Sequence, residues 1–200
     1  MTIRSAAWSS FLRVPDSPLA RVLSEIQRRG AIGRGSIDEA IRHADGFVAV
    51  LPPVGVGRCS LVDLGSGGGL PGLVLGVRRD DLDVVLVERR AKRADLLRYG
   101  IRALDLANRV RVFEGDAVDL RHDTAMLPEA VRVVTARSFG PPLEVLSIAR
   151  NLLVVGGRCL ISEPPARTAR WSTADLAARD MVDAGESNGV RSFVHVHSPS

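Results

Sequence analysis

The sequence predicts an α/β fold, a doubly wound and mainly parallel sheet preceded by a short N-terminal helical appendage. Three observations carry this. From Ser60 onward, short apolar runs alternate with longer helical stretches, as expected for right-handed crossovers between parallel strands. The first run, Leu61-Val62-Asp63-Leu64, breaks into a turn with glycine at four of five positions, Gly65 to Gly69, followed by Leu70-Pro71-Gly72. The second run ends on Glu88, roughly twenty residues further on, where such sheets place a carboxylate for ribose hydroxyls.

Two helices are expected before the sheet. One covers about Leu19 to Arg29 and is stopped by Gly30. The next starts at the capping box Ser36-Ile37-Asp38-Glu39 and is halted by Pro52-Pro53. Gly30 to Gly35 reads as a flexible joint between them. Strands are expected at Ser60–Leu64, Asp83–Glu88, Val110–Glu114, Val131–Ala136 and Arg158–Ser162. Helices are expected at Leu70–Arg78, Ala91–Leu106, Pro142–Leu153 and Ser172–Asp183, with one last strand in Gly189–Val196. Residues 1–53 are thus assigned to the appendage and 54–200 to a ligand-binding domain.

Composition narrows the class. The chain has 200 residues, 46% hydrophobic and 25% charged, enough for one domain with a substantial core. No apolar run is long enough to span a bilayer, and the N-terminus lacks the apolar core of a signal peptide. The expectation is a cytoplasmic protein without a membrane partner. Cys59 and Cys159 fall in or beside core strands and read as buried free thiols. The four histidines show no metal-ligand spacing with them, so no metal site is expected. The net charge is +4, carried almost wholly by arginine, which permits nucleic-acid binding without establishing it.

The chemistry should sit beyond the C-terminal strand ends. Strand, glycine turn and helix bring a nucleotide-like cofactor close to backbone, because a Cβ would block the approach and the turn needs positive φ. Two frames compete. Gly67-Gly69-Gly72 satisfies the dinucleotide pattern G-x-G-x-x-G. Gly65-Gly67-Gly69 gives D-x-G-x-G-x-G, as in S-adenosylmethionine methyltransferases, and this frame alone accounts for Asp63. Cofactor contacts are therefore expected from Asp63, Gly65, Ser66, Gly67, Gly69, Leu70 and Glu88. The turn after the third strand, Asp116-Ala117-Val118, is placed to border an adenine, although Asp116 also reads as a helix cap. Arg137, directly after the fourth strand, is expected to face the crevice.

DLGSGGGLPG, the later ARSFGPP and the GGRCLIS strand together resemble the glucose-inhibited division protein B family. The resemblance runs from about Ile37 to Ser162 and includes Arg42-His43. It implies a Rossmann-like, S-adenosylmethionine-dependent methyltransferase acting on guanine N7 of small-subunit ribosomal RNA. It implies that Gly65, Leu70, Ala117, Val118 and Arg137 border the cofactor, with Arg137 also the catalytic candidate. The chain departs from the family at Asp116, where an arginine is usual, and at Glu163-Pro164, where lysine and glycine are usual. Both acids are expected to face the acceptor side and to oppose RNA phosphates. The C-terminus is read as having room for one strand where the family has a hairpin. The partner is accordingly ribosomal RNA or the small ribosomal subunit, with a small-molecule acceptor as the alternative. A non-catalytic S-adenosylmethionine- or NAD-binding module is the rival from another class.

Overall fold

In the computed structural model, residues 17–52, 57–164 and 171–197 are described. The N-terminal stretch read for a signal peptide and the boundary expected between 53 and 54 lie outside these residues. The sheet has seven strands, β1 Cys59–Leu64, β2 Leu82–Glu88, β3 Val110–Glu114, β4 Val131–Ala136, β5 Leu153–Ser162, β6 Met181–Ser187 and β7 Val190–His195. Their order is β3-β2-β1-β4-β5-β7-β6. The first five run parallel, and β7 pairs antiparallel with β5 and β6. The chain reverses direction across the sheet between β1 and β4, which opens a crevice at their C-terminal ends.

Strand residues alternate between two apolar layers, so both faces must be covered. Leu61, Val84, Leu86, Val133 and Leu160 belong to one layer with helices α1 Pro18–Arg28, α2 Ile37–Val50, α3 Gly72–Arg78 and α4 Ala91–Ala103. Val62, Val85, Val134, Ile161 and Phe193 belong to the other, with α5 Pro142–Leu152 and α6 Thr173–Ala177. The N-terminal helices contribute Leu23, Ile26 and Phe47, all fully buried, to the same layer as the sheet. Ser17 and Ser36 cap α1 and α2 by accepting from Ala20 N and Glu39 N. The segment read as a flexible joint is tied down, because Gln27 Nε2 donates to the carbonyls of Gly33 and Gly35.

Two expectations are corrected. The helix assigned to Ser172–Asp183 stops at Ala177, and its second half begins β6. Asp180 takes a φ of +53°, which turns the chain out of the helix. The single last strand is a hairpin, because Asn188 and Gly189, with φ of +54° and +72°, form the turn between β6 and β7. Cys59 and Cys159 are buried and free. No helix among the described residues is long and apolar enough to cross a membrane.

Candidate functional site

The glycine turn is held by a closed set of hydrogen bonds. Ser66 N donates to Val87 O on β2, and Ser66 Oγ donates back to Asp63 O. Gly67 N donates to Glu88 Oε2 at 3.0 Å, and Arg90 N donates to Oε1 of the same carboxylate at 2.9 Å. Gly65, Gly67 and Gly69 have φ of +62°, +54° and +92°, which explains glycine at each. A Cβ on Gly67 would meet no protein atom closer than 3.7 Å, so within the protein itself its requirement is the positive φ. At Gly65 a Cβ would fall 2.2 Å from the Phe139 ring, so the aromatic packs directly on that glycine.

A cavity of about 470 Å³ opens across the ends of β1 to β4. Its walls include Gly65, Glu88, Gly115, Asp116, Ala117, Val118 and the segment Ser138 to Pro141. The structure therefore brings Gly65, Glu88, Asp116, Ala117 and Val118 together around one space. Asp116 also stabilises its own turn, its Oδ1 accepting from Val118 N. Arg89, Arg90 and Arg93 form the cationic edge of the cavity and make no ion pair among the described residues. The sequence pattern puts these three on a solvated helix face; only their position after Glu88 points to the site.

Asp63, Ser66, Gly67, Gly69 and Leu70 do not line this cavity. They shape the turn from behind. Asp63 is fully buried, accepts from Thr135 Oγ1 at 2.7 Å, and has its Oδ2 beside the Gly72 amide without a closed hydrogen bond. Burial pushes its pKa from 3.8 up to about 6, against the hydrogen bonds and the charge of Arg137, which pull it down. Leu70 is half-buried against the helical layer.

Arg137 lines a second cleft of about 320 Å³, between the loop before α2 and the end of β4. Arg34, Glu39 and His43 share it. The two spaces flank the end of β4, with Arg137 in the wall of one and its chain neighbour Ser138 in the wall of the other. Arg137 is half-buried, and its Nη1 is enclosed without a hydrogen-bond partner. Burial lowers its pKa and Asp63 partly offsets this. His43 is held below its usual 6.5, first by burial and then by the Arg137 charge.

Neither of the two acids expected to oppose RNA lines the second cleft. Asp116 borders the larger cavity and not the second cleft. Glu163 Oε1 accepts from Trp171 Nε1 at 2.8 Å and lies 3.6 Å from Arg191 Nε, a guanidinium that it shares with Asp183 and Glu186.

The donor set of the larger cavity fits S-adenosylmethionine. Each Glu88 oxygen accepts one backbone amide and retains acceptor capacity, which suits a pair of ribose hydroxyls. Ala117 and Val118 supply apolar wall to the same cavity. The chain matches the family described as GidB, rRNA small subunit methyltransferase G, over residues 35–179. Proteins called ribosomal RNA small subunit methyltransferase G are similar to it. The one from Rhizorhabdus wittichii is 32% identical over 82% of this chain and 77% of that protein. For the one from Salinispora arenicola the values are 41%, 58% and 48%, so the chain spans about half of that relative. Among solved structures, a mutant of MtNAS in complex with S-adenosylmethionine superposes with a TM-score of 0.61 at 15% identity, over 89% of this chain and 73% of the other. Geranyl diphosphate C-methyltransferase from Streptomyces coelicolor gives 0.56 at 20% identity, over 76% and 62%. These two share the fold.

Proposed function

Because the chain belongs to the GidB family, rRNA small subunit methyltransferase G, and is an S-adenosylmethionine-dependent methyltransferase, we propose that its acceptor is guanine N7 of small-subunit ribosomal RNA. The observation that carries this is the pairing of two spaces at the strand ends. One has a ribose-type carboxylate at Glu88, and the other is a cationic cleft around Arg137. S-adenosylmethionine supplies an electrophilic methyl group, transferable to a lone pair aligned with the sulfur–carbon bond.

The residues of this chain bind and align. Glu88 holds the ribose, while Gly65, Ala117 and Val118 border the nucleoside. Asp63, Ser66, Gly67 and Gly69 hold the turn in shape, and Leu70 packs it onto the helical layer. Arg137 stands between donor and acceptor, where it orients both. A guanine N7 already carries its lone pair, so no residue is required to remove a proton.

RNA needs cations that are not already spent on carboxylates. Most arginines far from the site are paired, such as Arg58 with Asp83, Arg78 with Asp45 and Arg150 with Asp180. Arg34, Arg89, Arg90 and Arg93, around the two openings, are not paired among the described residues. The test is a labelled-methyl transfer assay on small ribosomal subunits, free small-subunit RNA and a small-molecule extract. Label should enter RNA or subunits, and binding should weaken steeply with salt as counterions are released. Label confined to the extract would reject RNA as the acceptor.

A further inference from the structure

Glu39 begins as a capping-box residue. In a full box its carboxylate would return to the backbone amide of the N-cap. Only half the box forms here: Ser36 Oγ accepts from Glu39 N at 3.4 Å, while the Glu39 carboxylate makes no hydrogen bond or ion pair among the described residues. It is instead part of the wall of the second cleft, with Arg137 and His43. The cleft thus offers a free carboxylate on the α2 side and a guanidinium with an enclosed, unpartnered Nη1 on the β4 side. At about 320 Å³ it lies at the lower end of the range for small-ligand cavities.

We propose that this cleft holds the accepting guanine, with the Glu39 carboxylate reading its N1–H and N2–H₂ donors and Arg137 meeting O6. The proposal rests on the acceptor reading above. Two carboxylate oxygens match two adjacent N–H donors, which adenine does not present on that edge. O6 neighbours N7 on the purine. A guanine with O6 on Arg137 therefore has N7 at the β4 end, where Ser138, the next residue, already lines the larger cavity. The chemistry agrees. Transfer joins the methyl carbon to N7, leaves the sulfur–carbon electron pair on sulfur, and moves one positive charge from sulfonium to base. That charge acidifies N1–H and N2–H₂, so their bonds to Glu39 strengthen as the transition state forms. Glu39 acts on base choice and on rate together.

Two measurements on the full chain test this, both with S-adenosylhomocysteine affinity as a control for the donor cavity. In the first, protein saturated with S-adenosylhomocysteine is titrated with GMP, IMP and AMP. GMP should bind about tenfold or more tightly than AMP, with IMP between because it lacks the N2 amino group. Glu39→Gln should abolish the preference, because its amide donates where the carboxylate accepts. In the second, Glu39→Ala should lower kcat/KM for small-subunit RNA by at least about tenfold, with S-adenosylhomocysteine affinity unchanged. The proposal is overturned if wild type fails to bind GMP at millimolar concentration or binds all three nucleotides equally. It is equally overturned if Glu39→Gln keeps the preference or Glu39→Ala methylates RNA normally. Wild type that prefers GMP yet methylates no RNA would instead reject the ribosomal acceptor and leave the guanine site standing.

Discussion

Glu88 serves the fold directly and, in the function proposed above, the ligand as well. Its two oxygens clasp the amides of Gly67 and Arg90, and so fix the glycine turn relative to β2. Glu88→Ala removes charge-assisted bonds worth roughly 1.5–3 kcal/mol each. S-adenosylmethionine affinity, read by calorimetry, should fall at least about tenfold. Because the turn amides lose their acceptor too, the variant should also melt earlier, and unchanged affinity in a folded variant would return Glu88 to a structural role. Asp63 makes a different prediction. The folded chain keeps its proton up to about pH 6, while the unfolded chain loses it near 3.8. Between these values the folded state binds more protons, so stability falls as pH rises. The shift corresponds to roughly 3 kcal/mol. Asp63→Asn cannot titrate, so across this window its stability should rise relative to wild type; urea unfolding at both ends reads this, and a constant gap contradicts it. The position of Glu88 was legible from spacing alone. The neutral tendency of Asp63 was not, since it depends on enclosure by Thr135, Gly72 and β2.

At the scale of elements, periodicity located the first five strands and the six α-helices of the described residues, because each buries a face or a run of apolar residues. It failed at β6, where nearly every residue is exposed and no apolar stripe marks the strand. The signal that was present, Asn188-Gly189, is the dipeptide a tight hairpin needs, since both residues take positive φ. The hairpin also packs against the N-terminal part of the chain. Gly46 on α2 lies against the turn so closely that a Cβ there would sit 2.5 Å from the Asn188 carbonyl oxygen. In an exposed helix, glycine to alanine stabilises by about 1 kcal/mol. Here the backbone contact should dominate, and Gly46→Ala should destabilise by roughly 1–3 kcal/mol. Urea denaturation checks the sign, and a stabilised variant would contradict the contact.

At the scale of the molecule, the fold sorts its charges. Several arginines on the flanks, such as Arg58, Arg78 and Arg150, are tied to carboxylates, while Arg34, Arg89, Arg90 and Arg93 around the two openings make no ion pair among the described residues. The sequence alone could not separate the two groups, because pairing such as Arg78 with Asp45 joins distant parts of the chain. For the same reason the contacts of Glu163 with Trp171 and Arg191 could not be read from the sequence. The larger cavity was largely legible, since its walls follow strand ends in order. The second cleft was not, because it needs the loop before α2 folded against β4. The central claim is transfer to guanine N7, and replacing that atom tests it directly. Small-subunit RNA transcribed with 7-deazaguanosine in place of guanosine carries carbon where N7 would be. With labelled S-adenosylmethionine, label should enter the ordinary transcript and not the deaza transcript. Equal labelling of both, or of neither while the cofactor binds, would contradict the account.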